Sequence, residues 1–193
     1  MYIKKIMEEN IGPIEKIQID LPFNERCPKP VVIVGENGTG KSTIVSNIVD
    51  SFYEIAGTAY SDARKQAKTE GYEYYKAITP IEIHVGKKYL YSYIKFENDE
   101  PLSSIDYVFK SGSLKIDEFK EKVGSVSSQI SWEDEANYKK ATVDEETAKK
   151  VISKDIICYF GPDRYEKPFW MGNQYYETPD YEHITVKGNS GCG

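Results

Sequence analysis

The spacing of apolar positions changes several times along the chain, and each change marks an element. Tyr2 to Met7 reads as a short strand, Asn10-Ile11-Gly12-Pro13 as a turn, and Ile14 to Leu21 as a second strand carrying Ile14, Ile17, Ile19 and Leu21. Pro22 to Pro30 is a polar connector. It feeds Val31-Val32-Ile33-Val34, apolar throughout, the pattern of a central strand covered on both faces. From Lys41 the period becomes helical: Ile44, Ile48, Phe52 and Ile55 share one stripe, with Val45 and Val49 beside it. A second, polar helical stretch covers Ser61 to Tyr74 and is weakened at its end by Gly71.

The period then shortens. Ile81, Ile83 and Val85 alternate with polar residues, Gly86-Lys87 turns, and Tyr89 to Phe96 returns. Asp106 to Lys110 and Ser113 to Ile116 form the arms of a second hairpin across Ser111-Gly112. Residues 81–116 are therefore expected to be an antiparallel β-region beside a main sheet. From Asp117 to Lys154 the chain is mostly polar, with helical tendency at Ile116 to Val123 and at Asp144 to Ile152. Ile156-Ile157-Cys158-Tyr159-Phe160 is a buried-strand candidate that ends at Gly161-Pro162-Asp163-Arg164, and Tyr175 to Gly193 is an aromatic, polar and finally glycine-rich tail. One unit results: residues 1–60 hold the hairpin, the glycine-rich loop and its helix, residues 81–116 the β-region, and residues 155–193 the return strand and tail.

The strongest chemistry lies between the apolar run and the first helix. Gly35-Glu36-Asn37-Gly38-Thr39-Gly40-Lys41-Ser42 matches G-x-x-x-x-G-K-S, the Walker A phosphate loop, and Thr43 follows. Glycines let backbone N–H groups turn inward around phosphate oxygens, and the helix N-terminus adds donors and partial positive charge. In this reading residues Gly35 to Thr43 bind the nucleotide, Lys41 reaches the β- and γ-phosphates of ATP, and Ser42 ligates Mg²⁺. Thr43 either supports the phosphates or is simply a first-turn residue. The bland alternative, a chance glycine-rich turn, does not explain Gly-Lys-Ser-Thr running straight into a helix.

Composition narrows the setting. With 193 residues there is enough chain for one core, and a net charge of -6 gives no global field toward nucleic acid. Cys27, Cys158 and Cys192 are odd in number and widely spaced, without metal or disulfide spacing. The first residues lack the apolar core of a signal peptide, and no apolar run approaches the roughly 20 residues of a membrane span. A cytoplasmic location and no membrane partner are expected.

Around this motif the order of elements is distinctive. A hairpin with Glu9-Asn10-Ile11-Gly12-Pro13-Ile14 precedes Val-Gly-Glu-Asn-Gly-Thr-Gly-Lys-Ser-Thr, and this resembles the N-terminus of ABC-type ATPases of the RecF/SMC/Rad50 group. AAA-family ATPases of bacterial defence systems and overcoming-lysogenisation-defect nucleases begin similarly. The resemblance implies an α/β P-loop NTPase core of the RecF-like N-terminal-lobe type, with an antiparallel β-subdomain after the phosphate-loop helix and a strand leading to a Q-loop. Ile156 to Arg164 takes that last position. Its Tyr-Phe-Gly-Pro-Asp-Arg is similar to a Tyr-x-Pro-x-x-Arg pattern of such ATPases, with different spacing and without the Q-loop glutamine. Gln174 lies too far on to replace it. Asp163 and Arg164 are the candidates to coordinate water, metal or phosphate there; a strand-ending turn with a surface ion pair is the equal alternative.

Two expected motifs are missing. Walker B needs an apolar strand ending in acids; Ile156 to Phe160 is followed by Gly-Pro, and Tyr89 to Phe96, followed by Glu97-Asn98-Asp99-Glu100, alternates like a hairpin strand. No Ser-Gly-Gly signature opens a helix, and Asn189-Ser190-Gly191-Cys192-Gly193 has only a faint likeness to it. By resemblance, the chain is then the N-terminal lobe of a longer ATPase. Its missing C-terminal lobe supplies Walker B and the signature, and two heads sandwich ATP as an ATP-dependent homodimer. Nucleic acid or a nuclease as partner, and a role in DNA repair or anti-phage defence, are implied by the resemblance only.

Other features have plainer explanations. Tyr72, Tyr74, Tyr75, Tyr89, Tyr91, Tyr93, Tyr175 and Tyr176 suggest a base-stacking platform less than sheet-face tyrosines with wet hydroxyls, because acids are interleaved. His84 is expected on a solvated strand position opposite Ile83 and Val85. Two rival functions stay open. A small P-loop kinase would need an arginine-bearing lid, and Arg26, Arg64 and Arg164 form none. A non-hydrolysing, nucleotide-gated binding module would need nothing more than the loop.

Overall fold

The computed structural model describes residues 1–21, 30–60, 83–97 and 104–154. In chain order these hold β1 (Tyr2–Ile11), β2 (Ile14–Asp20), α1 (Lys41–Ala59), β3 (Tyr89–Glu97), β4 (Ser104–Gly112), α2 (Ile116–Val123), β5 (Asn137–Ala141) and α3 (Glu145–Lys154). The strands form one sheet in the order β2-β1-β3-β4-β5, and every pairing is antiparallel. The class is mixed α/β.

Strand alternation gives the sheet two apolar faces. Ile6, Ile94, Phe96, Ile105 and Tyr107 point to one side and pack with Ile44 and Ile55 of α1 and Ala148 and Val151 of α3. Met7, Tyr91, Tyr93 and Val108 point to the other and pack with Leu114, Phe119 and Val123 of the α2 region and with Ile130 and Trp132. The Phe119 ring meets Tyr91 edge-on at 5.4 Å and tilts against Trp132 at 5.1 Å. Two polar tips of this second layer are satisfied: Trp132 Nε1 donates to the Leu114 carbonyl at 2.9 Å, and the Tyr93 hydroxyl to Asp106 at 3.0 Å. Asp106 also accepts from the Ser127 N–H at 2.8 Å.

The first hairpin turns on two residues. Ile11 pairs with Ile14, and Gly12 has φ 50°, the left-handed sign a primed turn needs at its first central position. Pro13 then supplies the fixed negative φ of the second. Asn10, with φ 57°, is a non-glycine residue in the same region, a conformation asparagine tolerates better than most.

The helices expected from Lys41, at Ile116 to Val123 and at Asp144 to Ile152 are present within a residue or three, but four strand expectations change. β1 runs to Ile11 rather than Met7 because Glu8, Glu9 and Asn10 find polar partners inside the fold. Val31 to Val34 is not a strand: the segment is irregular, and Val31, Val32 and Val34 are 51%, 80% and 86% exposed. A fully apolar run signals burial, and among the described residues no strand pairs with this one. Ser113 to Ile116 does not return along β4; β3 is the hairpin partner of β4, and β5 lies on its other side. Ile83 makes only an isolated bridge to Ile11, and Val85, in a turn, is 95% exposed. The described strands of the antiparallel β-region join the first hairpin in one sheet, since β3 pairs directly with β1. Ser61 to Tyr74, the strand candidate Ile156 to Phe160 and the tail lie outside the described residues.

Candidate nucleotide site

Gly35 to Gly40 forms a compact loop that opens directly into α1. Lys41 folds back over it, and Nζ donates to the carbonyl oxygens of Gly35 at 2.7 Å and Glu36 at 2.6 Å. Thr39 Oγ1 donates to the Glu36 carbonyl at 2.8 Å, closing the turn from the other side. Glu36, Asn37, Gly38 and Thr39 are exposed, as is Ser42, whereas Lys41 and Thr43 are half-buried. The first helical backbone bond runs from the Ile44 N–H to the Gly40 carbonyl at 3.0 Å. The amides of Lys41, Ser42 and Thr43 therefore precede the intrahelical ladder, and α1 has no side-chain cap. Loop amides, one ammonium and one exposed hydroxyl lie within one loop and helix start, a donor set suited to an anion with a bound cation.

Gly40 is the hinge of this arrangement. Its φ is 94°, and a Cβ there would lie 2.5 Å from Ile14 Cγ1 and 3.4 Å from Pro13 Cγ. The tip of the first hairpin thus rests on the backbone of the loop, so close that only glycine fits. The tip is braced in turn by the segment after Ile83: His84 N–H donates to the Asn10 carbonyl at 2.9 Å, and His84 Nδ1 bonds the Gly12 carbonyl at 2.7 Å. His84 is therefore not a solvated strand residue but a tie across the turn.

Behind the loop, α1 is pinned to the sheet. Ile44 and Ile55 are buried, and between them Asn47 Nδ2 donates to Glu8 Oε1 at 2.7 Å. At its far edge Asp50 and Glu54 face Lys139 of β5 at 3.9 and 3.4 Å. The buried stripe is therefore Ile44, Asn47, Ser51 and Ile55, with Ile48 and Phe52 only half-buried. The sequence reading missed Glu8 and Asn47; the available signal was an amide and a hydroxyl at helical spacing between two isoleucines.

The remaining candidates divide cleanly. The structure brings Gly35 to Thr43 together in one loop and helix start. Asp163 and Arg164 lie outside the described residues. Glu97, at the end of β3, is 3.7 Å from Lys4, on an antiparallel strand, so the carboxylate has a structural partner. Tyr91 and Tyr93 are buried, with hydroxyls donating to Glu9 at 3.3 Å and to Asp106 at 3.0 Å, so neither is a wet platform tyrosine. Burial, then the neighbouring carboxylates, pushes both hydroxyls well above the ordinary tyrosine range. Among the described residues no group of three histidines, cysteines or carboxylates could hold a metal, and no helix is long and apolar enough to cross a membrane.

A family model described as an AAA domain matches residues 5–181. No curated protein matches the chain.

Proposed function

The chain belongs to the AAA-domain family, with the nucleotide-binding, ATPase-type function this entails, and on that premise we propose that it is the ATP-binding lobe of an ABC-type head of the RecF/SMC/Rad50 kind. Gly35 to Thr43 hold Mg-ATP. Lys41 leaves the Gly35 and Glu36 carbonyls for the β- and γ-phosphates, exchanging two neutral acceptors for charged ones, which bind an ammonium about twice as strongly. Ser42, already exposed at the helix start, turns its hydroxyl to Mg²⁺. Bound Mg²⁺ would neutralise charge developing on the phosphates. The hairpin tip against Gly40 and the Asn47–Glu8 tie hold the loop to the sheet, so the backbone donors need little reorganisation while Lys41 and Ser42 turn to the anion and its cation.

Hydrolysis, in this reading, waits for a second lobe that carries Walker B and the signature, and for two heads to close on the nucleotide. One observation carries it: Val31, Val32 and Val34, immediately before the loop, stand 51%, 80% and 86% exposed. Among the described residues nothing covers these three valines in a row of four, an apolar run that calls for a partner. A neighbouring apolar strand would cover them and bring acids to the edge of the loop. The test is phosphate release from Mg-ATP by the chain as it stands. The expected rate is indistinguishable from that of Lys41→Ala; steady turnover that Lys41→Ala abolishes would show a complete catalytic site and overturn the need for a second lobe.

A further inference from the structure

Glu8 is a fully buried carboxyl with no cationic partner among the described residues. It is 0% exposed in the middle of β1, between Ile17 of β2 and Ser92 of β3, beneath α1. Oε1 accepts from Asn47 Nδ2 at 2.7 Å and from Ser92 Oγ at 3.3 Å. Oε2 has no partner, and neither has Asn47 Oδ1, on a side chain that is also 0% exposed. Two buried acceptors left bare would each carry the full desolvation cost of an unpaired polar atom. They belong to the same two head groups, a planar carboxyl and a planar carboxamide already joined by one short bond.

We propose that Glu8 carries a proton on Oε2 and donates it to Asn47 Oδ1, so that acid and amide close a paired latch between the sheet and the phosphate-loop helix. A single proton satisfies both bare atoms at once, which no rearrangement of the ionised form does, since a carboxylate only accepts. Loss of that proton to solvent opens the latch and leaves a negative charge buried, so its strength depends on pH.

Nothing nearby supplies a compensating charge. On this face β3 contributes Leu90, Ser92 and Ile94, and β2 contributes Ile17 and Ile19, with Glu15 at the exposed end facing Lys87 at 3.4 Å. On α1, Asp50 and Glu54 face Lys139 of β5. On β1 itself, Lys4 and Lys5 face Glu97 and Asp20 at 3.7 and 3.8 Å, and Glu9 points to the opposite layer, where Lys122 lies at 3.1 Å. Burial accordingly pushes Glu8 up to about 7, against the lowering pull of the Asn47 and Ser92 bonds. A carboxyl raised on folding adds stability that is complete below its unfolded value, near 4.5, and is lost as pH rises through about 7. The latch therefore holds in mildly acidic solution and slackens across neutrality. It sits on the helix that bears Lys41 and on the hairpin whose tip rests on Gly40.

The experiment is ¹³C NMR of the full chain labelled at glutamate side-chain carboxyls, with Glu8 assigned through its own backbone. It is paired with urea unfolding from pH 5 to 8 of the wild type and Glu8→Gln. Glutamine keeps the shape and donates permanently to Asn47 Oδ1, so it mimics the protonated acid. The expected Glu8 midpoint is near 7, and the ratio of the Glu8→Gln to the wild-type folding constant grows roughly 70-fold between pH 5 and 8. A Glu8 midpoint in the ordinary carboxylate range overturns the proposal, whether or not the variant folds. So does an unfolding response to pH that is the same in both proteins. Neither readout involves nucleotide, so failure here leaves the ATP reading standing.

Discussion

The layer under α2 and the segment before the glycine-rich loop are built from similarly apolar stretches, yet they end in opposite states. Under α2, Tyr91, Tyr93, Phe119, Ile130 and Trp132 are all buried, and the polar atoms of Tyr93 and Trp132 have partners inside the layer. Before the loop, Val31, Val32 and Val34 stand in solvent while the adjoining helix is firmly packed. The first region is complete by itself. The second is finished on its helix side, with Ile33 packed against the α1 core, and open on the other. Apolar composition alone therefore does not fix burial; a strand needs a partner on its hydrogen-bonding edge as well as a helix over its face.

Three variants probe that contrast. Phe119→Ala should be the most damaging, because the ring touches Tyr91, Tyr93 and Trp132 and leaves a cavity among aromatics that cannot collapse together. The expected loss is about 3–5 kcal/mol in urea unfolding. A loss below about 1 kcal/mol would mean that this layer is not the closed core described. Gly40→Ala comes next. It forces a left-handed residue against Ile14 and should cost about 2 kcal/mol or more, with weaker nucleotide binding, since the hairpin tip must retreat. Unchanged stability would separate hairpin and loop. The smallest effect belongs to Val32→Thr with Val34→Thr. Both side chains already meet water, so unfolding should shift by less than about 0.5 kcal/mol. A large loss would show the valines to be covered and would remove the contrast itself.

Much of this was legible in the sequence, for physical reasons that can be named. α1, α2 and α3 follow from helical spacing of apolar residues, helped for α3 by Asp144, which accepts from the Thr147 N–H at 2.9 Å as a cap. The hairpin follows from Gly12-Pro13. What escaped depends on partners distant in sequence. β5 reads as polar, Asn137-Tyr138-Lys139-Lys140, because Lys139 is satisfied by α1 and Lys140 lies on an edge strand. The end of β1 reads as a turn because Glu8 and Glu9 are charged on paper. In the fold, Glu9 accepts from Tyr89 at 2.6 Å and faces Lys122 at 3.1 Å, while Glu8 meets Asn47. At the candidate site, residues Gly35 to Thr43 were named from type and spacing alone. The hairpin resting on Gly40 was not, because a missing Cβ is visible only once its neighbour is placed.

The account depends most directly on Lys41 and the loop amides gripping a nucleotide. Calorimetric titration of Mg-ATP into the chain and into Lys41→Ala, at one pH and salt concentration, tests that claim. Saturable binding to the wild type that disappears in the variant, with unfolding unchanged, is the predicted result; equal affinity in both, or none in the wild type, would contradict it.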